Sequence, residues 1–170
     1  MSKRNQILII DDEVDICEQI SGLLGDKGYS AKYSLTSEEG IKLFKKEKIS
    51  LVILDIWLND SKFDGFQTLE RIKEINEIPP VIMISGHGNI ETAVNSIKKG
   101  AYDFIEKPLD SDLLIFKVTK ALENFNLKSR INSFSKNENS NFVAKSKASK
   151  NVINLLKKIT KTDSSVLLSG

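Results

Sequence analysis

The sequence predicts an α/β domain built on a mostly parallel sheet with helices on both faces, followed by the start of a second unit. Three observations lead there. Short apolar runs alternate with helically spaced segments through the first 125 residues. Three of those runs, at 7–10, 51–54 and 81–84, are apolar throughout, as strands covered on both faces must be. The charge also divides. Residues 1–125 carry 16 Lys/Arg against 21 Asp/Glu, whereas residues 126–170 carry 9 against 2, a shift that marks a domain boundary.

The elements follow in chain order. "ILII" at 7–10 is the first strand, and Cys17, Ile20 and Leu24 share one face of the helix after it. Gly28 stands where that helix should end. "SAKYS" at 30–34 is a more polar strand, suited to an edge. "TSEE" at 36–39 then opens a helix, with Thr36 as N-cap and Glu39 three residues on. "LVIL" at 51–54 and "VIMI" at 81–84 are the two further central strands. Ile90, Ala93, Val94 and Ile97 recur at helical spacing, and Gly100 is the next expected C-cap. "DFIE" at 103–106 is the fifth strand. A last helix from about Asp110 carries Leu114, Val118, Ala121 and Phe125 on one stripe. That stripe is read as core, with a dimer seam as an open second use of the helix. A shifted stripe of Leu127, Ile131 and Phe134 extends the helix beyond the domain. The polar "SKNENSN" at 135–141 reads as a linker. Val152, Leu155, Leu156 and Ile159 then suggest one more helix, and "SVLLSG" a strand entering a turn.

Several classes are excluded by composition. Cys17 is the only cysteine, so no intrachain disulfide can form. The basic "MSKRNQ" is followed by four apolar residues before Asp11, too few for a signal peptide. No run nears the roughly 18 apolar residues of a membrane span. A cytoplasmic protein that does not enter a membrane is expected. The basic residues after 126 are scattered among few aromatics, which favours a solvated surface over nucleic-acid contact.

The chemistry lies at the strand ends. Ligands of open parallel sheets bind beyond the carboxyl ends of the strands. Asp11 and Asp12 follow the first strand, and Asp55 ends the third. If those strands are neighbours, three carboxylates converge. Two such charges at ~4 Å repel by about 4 kcal/mol at an effective dielectric near 20, so a cation belongs among them. An oxygen-only ligand set points to Mg²⁺ with a phosphate. Ser85 ends the fourth strand and Lys107-Pro108 follows the fifth, adding a hydroxyl and an ammonium at the same rim. A carboxylate so surrounded is equipped to accept a phosphoryl group.

In order and spacing, Asp11-Asp12, Asp55, Ser85, Phe104 and Lys107-Pro108 resemble a response-regulator receiver domain, over residues 5 to about 125. The resemblance implies a flavodoxin-like sheet of order 2-1-3-4-5. It implies Asp55 as phosphoacceptor, with Mg²⁺ held by Asp12, Asp55 and the backbone carbonyl of Trp57, and by Asp11 through a water. Ser85 and Lys107 would contact the phosphoryl oxygens. Ser85 and Phe104 would form the switch, Phe104 lacking the hydroxyl of the Tyr often found there. The peptide before Pro108 would be cis. "LDIWLNDSKFDGFQTLERIK" and "ISGHGNIETAVNSIKKGAYDFIEKP" further resemble NtrX-type nitrogen regulators of the NtrC-like group of sigma-54 activators. The long "NDSKFDG" supports that subgroup. Implied partners are a sensor histidine kinase, a second copy in a homodimer and, for the full-length protein, sigma-54 RNA polymerase and DNA. The expected organisation is a receiver at 1–125, a linker at 126–141, and at 142–170 the start of an AAA+ ATPase domain, truncated before its Walker A loop.

Blander readings stand beside these. An Asp-Asp pair alone is more often a helix cap, and Lys107 alone a surface lysine; their register with Asp55 and Ser85 reverses that. Cys17 reads as core. His87, the only histidine, reads as a solvated loop residue in "SGHGN". Two other functions stand against a phosphorylation-controlled regulator that is not itself an enzyme. A Mg²⁺-dependent phosphohydrolase with an aspartyl nucleophile would need D-x-D-x-[TV], which "DDEVD" does not supply. A phosphate-independent interaction module would have lost acidic-pocket residues, and none is lost.

Overall fold

The three continuous apolar runs form strands whose residues are covered on both sides. β1 (Gln6–Ile10), β2 (Ser30–Ser34), β3 (Leu51–Asp55), β4 (Val81–Ser85) and β5 (Asp103–Glu106) make one parallel sheet of order β2-β1-β3-β4-β5. The computed structural model describes residues 5–76, 79–86 and 90–138. The helices are α1 (Val14–Asp26), α2 (Ser37–Lys46), α3 (Gly65–Ile75), α4 (Ile90–Lys98) and α5 (Ser111–Glu138). The predicted strands are present within a residue, and the expected order holds. Polar β2 is an edge, as its composition suggested.

Strand pleating sends successive side chains to opposite faces, which yields two cores. On one face Ile7, Ile9, Ile53, Ile82, Ile84 and Ile105 meet Cys17, Ile20 and Leu24 of α1 and Leu114, Val118 and Ala121 of α5. On the other, Leu8, Ile10, Val52, Leu54, Val81 and Met83 meet Phe44 of α2 and Leu69 and Ile72 of α3. A fully buried side chain of this kind contributes about 1.5–3 kcal/mol. The central strands therefore hold the sheet, and its carboxyl rim, in a fixed register. Leu114, Val118 and Ala121 are committed to that core, so a partner reaching α5 would meet Leu113 and Phe116 instead.

The helix ends follow local rules. Thr36 caps α2 by accepting from the Glu39 N–H, as expected. Asp64 caps α3 in a full capping box with Gln67. Gly28 and Gly100 take positive φ after α1 and α4, the conformation that needs no Cβ. The stripe of α4 behaves differently from that of α1. Ile90, Val94 and Ile97 are exposed, Ile90 by 86%, and the residue α4 buries is Ser96. Periodicity identified the helix without saying which face the sheet would take.

The chain divides into units of residues 1–130 and 131–170. α5 continues to Glu138, so the first residues of the expected polar linker are helical. The end of that linker, the 142–170 segment and His87 lie outside the described residues. Among those described, no helix is long and apolar enough to cross a membrane.

Candidate functional site: an acidic pocket at the carboxyl rim of the sheet

The register of the sheet brings the predicted residues together. Ile10 pairs with Leu54, Asp55 with Ile84, and Ser85 with Glu106. Asp11 and Asp12, just beyond β1, therefore face Asp55 at the end of β3. Ser85 and Lys107 flank Asp55 from β4 and β5. One carboxylate oxygen each from Asp11, Asp12 and Asp55 lie within 4.8 Å of one another. Asp11 and Ser85 are wholly buried and Asp55 is 3% exposed.

Two backbone features fix Asp55. Its neighbour Ile56 donates to the Ile84 carbonyl at 3.0 Å, continuing the β3–β4 pairing past Asp55. Gly65, the first residue of α3, donates to the Ile56 carbonyl at 2.9 Å. A Cβ on Gly65 would stand 2.2 Å from the Asp55 carbonyl oxygen, so only glycine allows this approach.

Lys107 supplies the counter-charge. Its ammonium lies 2.9 Å from Asp11 Oδ2, 2.9 Å from Glu13 Oε1 and 3.6 Å from Asp55 Oδ2. The contact with Asp11 Oδ2 is a close ion pair to a wholly buried carboxylate. Asp11 Oδ1 accepts from the Glu13 N–H at 2.9 Å. Asp55 Oδ1 is buried without a hydrogen-bond partner. Glu13 on Lys107 was not anticipated from the sequence; it lies one turn position beyond the acidic pair. The Lys107-Pro108 peptide is cis, as the resemblance implied.

One lysine does not balance three acids. Burial pushes the Asp55 carboxyl up to about 7; Lys107 opposes this, while the charges of Asp11 and Asp12 add to it. Burial raises Asp11 as well, against its hydrogen bond from Glu13 and the nearby Lys107. Burial pulls Lys107 down, but its contacts with Asp11 and Glu13 outweigh that and leave its pKa above the usual lysine value. The pocket thus favours a further cation. Three converging carboxylates, with the buried Asp55 Oδ1 lacking a hydrogen bond, form the donor set that a hard divalent ion such as Mg²⁺ takes. The residues fit it.

The remaining predicted residues surround this centre. Phe104 is half-buried on β5, packed against the α2/α3 core, and Trp57 is 56% exposed two residues beyond Asp55. Burial and the Asp11 charge push the Cys17 thiol up to about 12, and its Sγ donates to the Asp11 carbonyl at 3.4 Å. It is packing, as expected.

The sequence missed Asn59. Its backbone N–H and side-chain Nδ2 both donate to Asp12 Oδ2, at 3.1 and 2.8 Å. The loop it begins is bound to the first turn of α2. Ser37 N–H donates to Ser61 Oγ, Phe63 N–H to Ser37 Oγ, and Lys62 N–H to Glu38 Oε1. No local pattern in "NDSKFDG" announces these contacts, since both partners are distant in sequence.

A parallel sheet of this order with acids, a hydroxyl and a lysine at its carboxyl rim defines a receiver. Residues 7–120 match the response regulator receiver domain family, and the chain belongs to it. Its likeness within the family is to NtrX-type regulators. It is 46% identical over 127 residues to the nitrogen assimilation regulatory protein NtrX of Azorhizobium caulinodans, covering 75% of this chain and 28% of that one. It is also 46% identical over 132 residues to an NtrX-like response regulator of Rickettsia bellii, covering 74% and 28%. The crystal structure of the NtrX receiver domain from Brucella abortus superposes with a TM-score of 0.67 at 47% identity, over 69% of this chain and 98% of that one. The chain thus spans little more than a quarter of the curated relatives.

Proposed function

We propose that this chain is the phosphoacceptor part of a two-component response regulator. Asp55 takes a phosphoryl group from a sensor histidine kinase, and the modified protein controls sigma-54-dependent, nitrogen-related transcription. The observation that carries this reading is Asp55 itself. Its carboxylate is buried among Asp11, Asp12 and Lys107, with one oxygen lacking a hydrogen bond.

In the step proposed, an Asp55 carboxylate oxygen attacks phosphorus, a new O–P bond forms, and the bond from phosphorus to the donor's imidazole nitrogen breaks. Lys107, close to Asp55 Oδ2, then pairs with a phosphoryl oxygen, and the Ser85 hydroxyl donates to another. Asp11 and Glu13 hold the ammonium at the rim meanwhile. Asp12 and Asp55 would ligate Mg²⁺ directly, with the Trp57 carbonyl, and Asp11 through a water. When bound, the ion would neutralise these acids and the charge on the transferring oxygens.

Movement of Ser85 toward the phosphoryl group would open space for Phe104 and shift α4. That helix buries Ser96 alone and borders a groove of about 450 Å³ beside Trp57 and Phe66, so its seat is shallow. The exposed Val94, Ile97 and Phe116 would then meet a second copy of the chain. These are population shifts of one fold.

The test is incubation with a small acyl phosphate and Mg²⁺, followed by intact-mass measurement. One phosphoryl group should add to the wild type and none to Asp55→Asn. Equal labelling of both proteins would reject Asp55 as acceptor.

A further inference from the structure

We propose that Asn59 is a positioning residue that makes the acidic pocket prefer Mg²⁺ over Ca²⁺; this rests on the divalent-cation reading above. Both Asn59 donors, backbone N–H and Nδ2, converge on a single atom, Asp12 Oδ2. A carboxylate oxygen accepting two hydrogen bonds is partly neutralised and held in place. With Oδ2 occupied by these two donors, Oδ1 is the oxygen this arrangement leaves to a cation. Asp12 becomes a ligand through one oxygen.

That restriction discriminates between ions. Mg²⁺ demands a near-octahedral shell of single-oxygen ligands and keeps several waters. Ca²⁺ accepts six to eight oxygens and readily takes a carboxylate through both of them. A carboxylate with one oxygen occupied by protein donors suits the first ion and limits the second.

The clamp is anchored. Asn59 begins a loop whose far end hydrogen-bonds through Ser61, Lys62 and Phe63 to Ser37 and Glu38 at the start of α2. Between them Asp60 takes the left-handed conformation, φ 53°, which reverses the chain toward α2. The loop therefore acts as a strut from α2 to Asp12, and Asn59 is its tip. Asn59 is exposed, so replacing it removes no core contact.

The test is titration of the 170-residue chain with MgCl₂ and with CaCl₂. It is followed by calorimetry and by fluorescence of Trp57, the only tryptophan, two residues beyond Asp55. Wild type should bind Mg²⁺ more tightly than Ca²⁺. In Asn59→Ala the Mg²⁺ dissociation constant should rise about tenfold, the usual cost of losing a partner that orients a ligand, while that for Ca²⁺, which tolerates a looser shell, changes less than about twofold. Asn59→Asp keeps the shape but offers no side-chain donor. It should bind both ions more tightly through its added charge, yet show the same loss of Mg²⁺ preference. A loss of affinity shared equally by the two ions would mean that Asn59 only supports the fold, and would overturn the proposal. Unchanged constants for both variants would do so too. If wild type binds Mg²⁺ and Asp12→Asn weakens it, the divalent-cation reading survives that outcome. If wild type binds neither ion at millimolar concentration, both fall together.

Discussion

Replacing the buried Asp55 carboxylate by its neutral isostere should stabilise the metal-free protein, by an amount that grows from about pH 4 to pH 7. Burial, with the charges of Asp11 and Asp12 against that of Lys107, sets the folded pKa of Asp55 at about 7, against 3.8 for a free carboxyl. Between these two values the folded protein holds a proton that the unfolded chain has released. Stability from this group is therefore complete below about pH 4, falls as pH rises to 7, and is flat above. Some three pKa units correspond to at most about 4 kcal/mol. At pH 4 the unfolded acid is still partly protonated, and the folded acid and the amide are both neutral and nearly isosteric, so Asp55→Asn should exceed the wild type by less than about 1 kcal/mol. At pH 8 it should be more stable by about 2–4 kcal/mol, a rise in melting temperature on the order of 10 °C for a unit of this size. Part of the wild-type slope should remain in the variant, because Asp11 is raised as well. The assay is urea denaturation with a chelator present, at both pH values. A variant less stable than wild type at pH 8, or shifted equally at both, would refute the claim that burial raises the Asp55 carboxyl.

Three further outcomes are expected. Protons compete with metal at Asp55, so apparent Mg²⁺ affinity should weaken about tenfold from pH 8 to pH 6, with proton uptake or release seen by calorimetry in two buffers; a flat profile would contradict the raised pKa. Gly65→Ala should cost about 3 kcal/mol or more by denaturant titration, since the new Cβ would meet the Asp55 carbonyl at 2.2 Å; a neutral result would show that the β3–α3 junction yields. Trp57→Asn should speed loss of phosphate in a timed decay, because an indole beside the acceptor shields it from water and cannot accept a proton; an unchanged half-life would shift control elsewhere.

Much of the fold was legible because the interior strands are continuous apolar runs, and the runs end where polar chemistry begins. Asp11, Asp12, Asp55, Ser85 and Lys107 could be found by their positions at strand ends alone, since parallel pairing aligns those ends. The direction α4 faces was not legible. Its stripe has helical spacing, but Lys99 pairs with Glu70 of α3 and the inward contact is Ser96, neither of which periodicity records. The polar "SKNE" of 135–138 carries no apolar stripe, so nothing marked it as helical. Asn59 and Glu13 were invisible for another reason: their partners Asp12 and Lys107 are 47 and 94 residues away. The capping box of Asp64 and Gln67 is, by contrast, local and legible in its D-x-x-Q spacing.

The measurement that bears most directly on the account is location of the phosphoryl group. After incubation with acyl phosphate and Mg²⁺, borohydride reduction converts an aspartyl phosphate to homoserine, and tryptic fragments can be sequenced by mass. The peptide of residues 49–62 contains Asp55 and Asp60. Homoserine at position 55, and its absence when Mg²⁺ is chelated, is the predicted result. Homoserine at Asp60, at Asp11 or Asp12, or labelling indifferent to Mg²⁺ would contradict it.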